Sequence, residues 1–177
     1  MSEAVFLFDA GPLIHISELG CQEILDIFPK KLTTRTVLDE ISSHLDVKQK
    51  NYIKSKLVIK DDNKDLSFNM KTLCKLFSLD KGEQSVFNAI EKMLDDDYAR
   101  DQIVFASDDA AARLAANNLN ILSVGTIGLI IKSVTLKKLE KLKALEIIIS
   151  IPDKSTLHLK PSFHEEIILK LKNKWKL

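Results

Sequence analysis

Apolar residues fall along this chain in two rhythms. One unbroken apolar run, "AVFLF" (4–8), and the mostly apolar runs "LVIK" (57–60), "QIVFA" (102–106) and "NILSV" (120–124) are separated by stretches where apolar residues recur every three or four positions. An unbroken run of that length is the mark of a strand covered on both faces, as in a parallel sheet. The longer spacing marks helices with one buried face. Thus a strand at 4–8 leads into a helix placed from Pro12 to about Phe28, with Leu13, Ile16, Leu19 and Ile24 inward. "KLTTRTV" (31–37) predicts a second strand and a helix entry, "TVLDEISSHL" (36–45) a helix, and "VKQKNYIKSK" (47–56) a polar helix. "DDNKD" (61–65) is the clearest loop signal. Two amphipathic helices follow, "LSFNMKTLCKLF" (66–77) and "KGEQSVFNAIEKML" (81–94), then a solvated acidic turn at Asp95 to Asp97.

Beyond residue 102 the alternation tightens: strand, helix "DDAAARLAANN" (108–118), strand, helix "GTIGLIIKSV" (125–134). Such β–α alternation predicts an α/β fold, a three-layer sandwich with a mainly parallel central sheet and helices on both faces. The tail from about 136 reads as helical with a break at "SIPDKS" (150–155). It closes on "PSFHEEIILKLKNKWKL" (161–177), which begins with proline and ends basic, as a docked terminal helix does. The expected organisation is an α/β domain over 1–135 with a helical extension, 136–177, packed on it. Its lysines (Lys170, Lys172, Lys174, Lys176) complement the helix dipole, and Trp175 is expected to pack on the body.

Composition narrows the function classes. With 26 Lys+Arg against 25 Asp+Glu, the chain is no uniformly basic nucleic-acid glove, although a local basic patch stays open. Cys21 and Cys74 lie in helical stretches without a CxxC pair or Cys/His cluster, which argues against structural zinc and for buried thiols in a reducing compartment. No segment reaches the about 18 apolar residues of a membrane span, and the first strand lacks a basic leader; a soluble, cytoplasmic protein is expected.

The candidate chemistry is acidic. Open α/β sheets bind ligands beyond the carboxyl ends of their strands. Asp9 ends the first strand, Asp108 and Asp109 follow the strand at 102–106, Glu83 opens a helix beside Gly82, and Glu40 lies one turn into the helix beginning near Thr36. Taken singly, each has a plainer explanation: a helix cap for Asp9, Glu83 and Asp108, a surface charge for Glu40. Asp9 is the hardest to explain so, standing at a strand end before Gly11 and Pro12.

Taken in order, "FDAGPLI" (8–14), "TVLDEI" (36–41), "LDKGEQSVFNAI" (79–90), "FASDDAAARLA" (105–115) and "VGTIGLI" (124–130) resemble the PIN-domain ribonucleases, in particular the small prokaryotic ones related to toxins of toxin–antitoxin pairs. The resemblance covers residues 4 to 135, and the tail is similar to the C-terminal helices of one subgroup. It implies an acidic pocket at the sheet edge with Asp9, Glu40, Glu83 and Asp108 as catalytic acids. Asp9, Asp108, Glu83 and Asp109 are its metal ligands, with Asp109 assisting or substituting for Asp108. Ser107 takes the place of the hydroxyl before the late acid, and Thr126 that of the Gly-Thr turn. Two positions depart from the pattern: Ala10 stands where the family often has a hydroxyl, and Asp80 where an acid is unusual.

Clustered carboxylates raise one another's pKa and call for a counter-charge. Hard oxygen donors without Cys or His suit Mg2+ or Mn2+. The implied reaction is hydrolysis of single-stranded RNA by a metal-activated water, with one ion or two about 4 Å apart. Arg113, Lys81 and Arg35 are the cations nearest these acids in sequence, as phosphate contacts or plain surface charges. The resemblance further implies a homodimer through helices at 67–94 and an antitoxin partner. A haloacid-dehalogenase-type phosphatase needs a second acid where Gly11 stands, and a phospho-receiver needs an acidic pair at the first strand end. The remaining alternative is a catalytically inactive PIN module that binds RNA.

Overall fold

The computed structural model describes residues 4–61 and 65–177. Strand β1 (Val5–Phe8) is buried along its whole length and leads directly into helix α1 (Ala10–Glu18). After a 3-10 turn (Gln22–Ile27) come β2 (Lys30–Thr34), α2 (Arg35–Ile41), α3 (Val47–Lys56) and β3 (Val58–Lys60). Helices α4 (Phe68–Leu76) and α5 (Lys81–Asp95) precede β4 (Ile103–Ala106), α6 (Ala110–Asn118), β5 (Leu122–Val124) and α7 (Thr126–Thr135). The C-terminal part is α8 (Lys141–Ile149), the short α9 (Ile151–Lys154) and α10 (Pro161–Trp175).

The five strands form one sheet in the order β3-β2-β1-β4-β5, and every neighbouring pair is parallel. Parallel pairing requires crossovers that cover both faces, which explains why β1 and β4 carry no polar residue. Val5 pairs with Ile103 and Leu7 with Leu32. The order runs leftward from β1 and resumes rightward at β4, so the topological switch point lies between these two strands. Phe6, Phe8 and Phe28 stack into one aromatic cluster, Phe6 to Phe28 at 4.4 Å between centroids, and fix β1 to the chain entering β2.

Two expectations are corrected. The first helix does not begin at Pro12 or run to Phe28. It starts at Ala10 and ends at Glu18, with Leu19 as its C-cap, because Gly20 adopts φ +65°, and Cys21 N–H then donates back to Ile16 O at 2.9 Å. The break in the tail starts inside "SIPDKS" but reaches beyond it: α8 ends at Ile149 and Ser150 turns, residues 151–154 are helical again, and an extended strap spans 155–160. Glu18 holds that strap on α1 by accepting from Ser155 Oγ (2.8 Å) and Thr156 N–H (2.7 Å). Of the loop expected at 61–65, residues 62–64 lie outside the described residues.

Helix α10 buries Leu171 and Trp175, and His164 donates from Nε2 to Ile148 O at 2.8 Å. Both cysteines are free and buried; burial pushes the Cys21 thiol up to about 12 and Cys74 to about 11, so neither is a thiolate at neutral pH. Among the described residues no helix is long and apolar enough to cross a membrane.

Candidate metal centre and its surroundings

At the switch point the sheet continues one residue past its strands. Asp9 N–H donates to Ala106 O (2.9 Å) and Ser107 N–H to Val124 O (3.0 Å). This pairing fixes Asp9 and Ser107 side by side at the carboxyl end of the sheet, where an open α/β fold binds its ligand. Asp9 occupies the N-cap position of α1 with extended backbone, yet its side chain makes no capping hydrogen bond. The carboxylate instead accepts from Ser107 Oγ at 3.0 Å, and Ser107 Oγ accepts from Asp109 N–H at 3.1 Å. Capping therefore does not explain Asp9.

Glu83 and Asp80 form a capping box at the start of α5. Asp80 Oδ1 accepts from Glu83 N–H, and Glu83 Oε2 accepts from Asp80 N–H, each at 2.8 Å. The box uses one oxygen of each acid. Thr34 caps α2 and hydrogen-bonds through its hydroxyl to Ser85 of α5, which sets the start of α2 against the first turn of α5. Glu40 then reaches across Gly82, where a Cβ would stand closer than 3.0 Å to Glu40 Oε2 and 3.3 Å from Asp80 Oδ1. The glycine of "KGE" thus leaves room for a carboxylate from another helix. Gly82→Ala is expected to leave the melting temperature nearly unchanged, since alanine favours a helix, while displacing the Glu40 carboxylate. Thermal melts beside a crystal structure of the variant check this.

These elements bring Asp9 within electrostatic reach of Glu40, Asp80 and Glu83, and Glu83 within reach of Asp80 and Asp109. Asp9, 7% exposed, is pushed up to about 6, chiefly by burial, with Glu40 and Asp80 adding repulsion against the hydrogen bonds from Ala10 and Ser107. Glu83, 9% exposed, rises to about 7, first through burial and then through Asp80, Asp9 and Asp109. Glu40, although exposed, is also raised, by partial desolvation and by Asp80. Among the described residues no three His, Cys, Asp or Glu stand close enough to hold a metal ion, so the acids form an electrostatic cluster rather than a finished coordination shell. The donor chemistry, buried carboxylates that repel one another, nevertheless fits a hard divalent ion.

Asp108 is turned elsewhere. Its Oδ2 meets His15 Nδ1 at 2.8 Å and accepts from Thr126 Oγ1, and its Oδ1 accepts from Thr126 N–H at 2.8 Å. Burial works to raise its pKa, but the bonds from His15 and Thr126 outweigh it and hold the carboxyl below the usual range. Asp108 thereby clamps the start of α7 to α1. Its neighbour Asp109 caps α6, accepting from Ala112 N–H at 2.8 Å, and is the one whose charge reaches Glu83. His15 escaped the sequence reading. Its only trace there was a polar residue on an apolar helix, four positions after Gly11, where a Cβ would lie 3.7 Å from Asp108 Oδ2.

The basic candidates flank this centre. Lys81 lines a groove of about 390 Å³ with Thr36, Lys71, Gln84 and Ser85. Arg113 lies half-buried on the opposite side, over Gly125, and Arg35 is exposed.

A parallel sheet with carboxylates gathered at its switch point is an α/β fold with an acidic site at its ligand-binding edge. A family model described as PIN domain matches residues 5–173, and the chain belongs to the PIN-domain family. That match runs through the C-terminal helices as well as the sheet. No curated protein and no solved structure matches the chain significantly.

Proposed function

We propose that the protein is a metal-dependent endoribonuclease that hydrolyses single-stranded RNA. The observation that carries this is the pair of buried carboxylates, Asp9 and Glu83, raised by burial and further by acidic neighbours on other elements. Asp9, Glu83, Asp109 and Glu40 would hold Mg2+ or Mn2+, with Asp80 at the margin. A divalent ion there supplies the Lewis acidity for phosphodiester hydrolysis. Ser107 holds the Asp9 carboxylate in one orientation. Glu83 would accept the proton of the attacking water at Oε1, the oxygen its capping box leaves free. Asp108 keeps the role its hydrogen bonds describe, positioning Thr126 and His15 beside the centre. Lys81 and Arg113 contact the RNA backbone on either side.

Pairing of two copies through the region 67–94 belongs to the same proposal; Phe68 and Leu76 of α4 are 83% and 74% exposed. So does an antitoxin that covers the acidic surface. The test of activity is direct: the purified chain cleaves an unstructured RNA with Mn2+ and not with a chelator. RNA binding without cleavage under any divalent ion returns the protein to the non-enzymatic alternative.

A further inference from the structure

Next to the acidic centre, on the far side of Asp108, a cavity of about 380 Å³ opens between the start of α7 and the strap 155–160. The loop after β4, α6 and the start of α7 supply one part of its lining and the C-terminal extension the rest. From the body come Arg113 and Ile127; from the extension come Leu157, His158, Lys160 and Phe163. Arg113 is half-buried, and among the described residues no hydrogen bond or ion pair engages its guanidinium. Its Nη1 lies over Gly125, 2.9 Å from where a Cβ would stand, so the missing side chain is what admits it. A partly desolvated guanidinium calls for an anion with hydrogen-bond acceptors. Asp108 Oδ1 lies over the same glycine, 2.8 Å from where that Cβ would stand, but no ion pair joins it to Arg113, and its oxygens are already engaged by His15 and Thr126. The strap adds Lys160, the N-cap residue of the fifteen-residue α10, where no side chain caps the helix. In the same cavity Phe163 is 51% exposed, beside apolar Leu157 and Ile127.

An arginine, a lysine and an exposed aromatic face lining one cavity fit one nucleotide of a single strand, phosphate against the cations and base on the ring. An acidic peptide would satisfy the cations and leave the ring unused. We propose that this cavity binds the nucleotide next to the scissile phosphate, and that the C-terminal extension thereby builds part of the RNA site. The identity of the strand rests on the nuclease proposal. The connection between the two sites is short: Ser107, which bonds Asp9, directly precedes Asp108 on the cavity wall.

The test is fluorescence anisotropy of the full chain with a short labelled single-stranded RNA, in Ca2+ in place of Mg2+ or Mn2+. Phe163→Ala is expected to raise Kd by about fivefold or more, and Phe163→Trp to restore or tighten binding. Lys160→Ala is expected to lower the slope of log K against log salt by about 0.7, one phosphate contact on a single strand. Both residues are exposed, so thermal melts should match the parent chain. Unchanged Kd and salt slope in these variants overturn the proposal, as does a chain that binds an acidic peptide but no RNA. If Mn2+-dependent cleavage persists while the variants bind normally, the cavity fails and the nuclease stands. If RNA binds through Phe163 and Lys160 but no divalent ion supports cleavage, the reverse holds.

Discussion

Asp9→Asn is expected to lower Mn2+-dependent RNA cleavage by more than about a hundredfold, because outer-shell changes at metal sites already cost 10–100-fold. The substitution keeps the size of the side chain and its capacity to accept from Ser107 Oγ, so the loss is one of charge. Two companions sharpen it. Asp109→Asn retains the cap of α6, since asparagine caps as well as aspartate, and removes only a charge that reaches Glu83. It should fall with Asp9→Asn. Asp108→Asn should fall less, because that carboxylate is engaged by His15 and Thr126. Single-turnover cleavage measured on the three variants ranks them. Equal loss in Asp108→Asn and Asp9→Asn, with Asp109→Asn unaffected, would restore Asp108 to the ligand role that the resemblance implies.

The same charges make the metal-free protein acid-stabilised over a defined window. Asp9 moves from an ordinary 3.8 to about 6, and Glu83 from 4.5 to about 7. Both groups hold protons more tightly folded than unfolded. Their contribution is fully present below the unfolded values and is lost as pH rises through the folded ones. Stability without metal should therefore fall between about pH 4 and pH 7, with Asp9 contributing about 3 kcal/mol at most. Asp108, held low, acts in the opposite sense and only below its ordinary value. At pH 7.5 a saturating divalent ion should reverse the loss, since a ligand that binds only the folded state stabilises it. Asp9→Asn should raise the melting temperature without metal and abolish the rise that Mn2+ produces. Denaturant melts across pH, with and without Mn2+, supply the measurement.

The sheet was legible because β1 and β4 are unbroken apolar runs, which in an alternating chain mean parallel strands covered on both faces. Helix limits were less so. Pro12 drew attention from Ala10, and nothing in the apolar spacing revealed that Gly20 would turn to positive φ while Ile24 and Leu25 still pack inward. The strap 155–160 has no periodicity; Glu18, more than a hundred residues away, holds it in place. Of the acids, Asp9 announced itself by standing at a strand end with no cap to make. The division of labour between Asp108 and Asp109 could not be read from two adjacent identical letters. It depends on His15, which enters from another helix, and on the Thr126 N–H that the switch-point topology brings beside Asp108. The part played by Gly82 was hidden likewise, because its reason is a carboxylate from α2.

Anomalous diffraction from crystals of the protein soaked in Mn2+ goes furthest toward deciding the matter. The expected result is a peak at about 2.1 Å from an Asp9 oxygen, with Glu83 or Asp109 drawn to the same ion. A peak bound by Asp108 and His15 with Asp9 uninvolved, or no peak near Asp9 at saturating Mn2+, would contradict it.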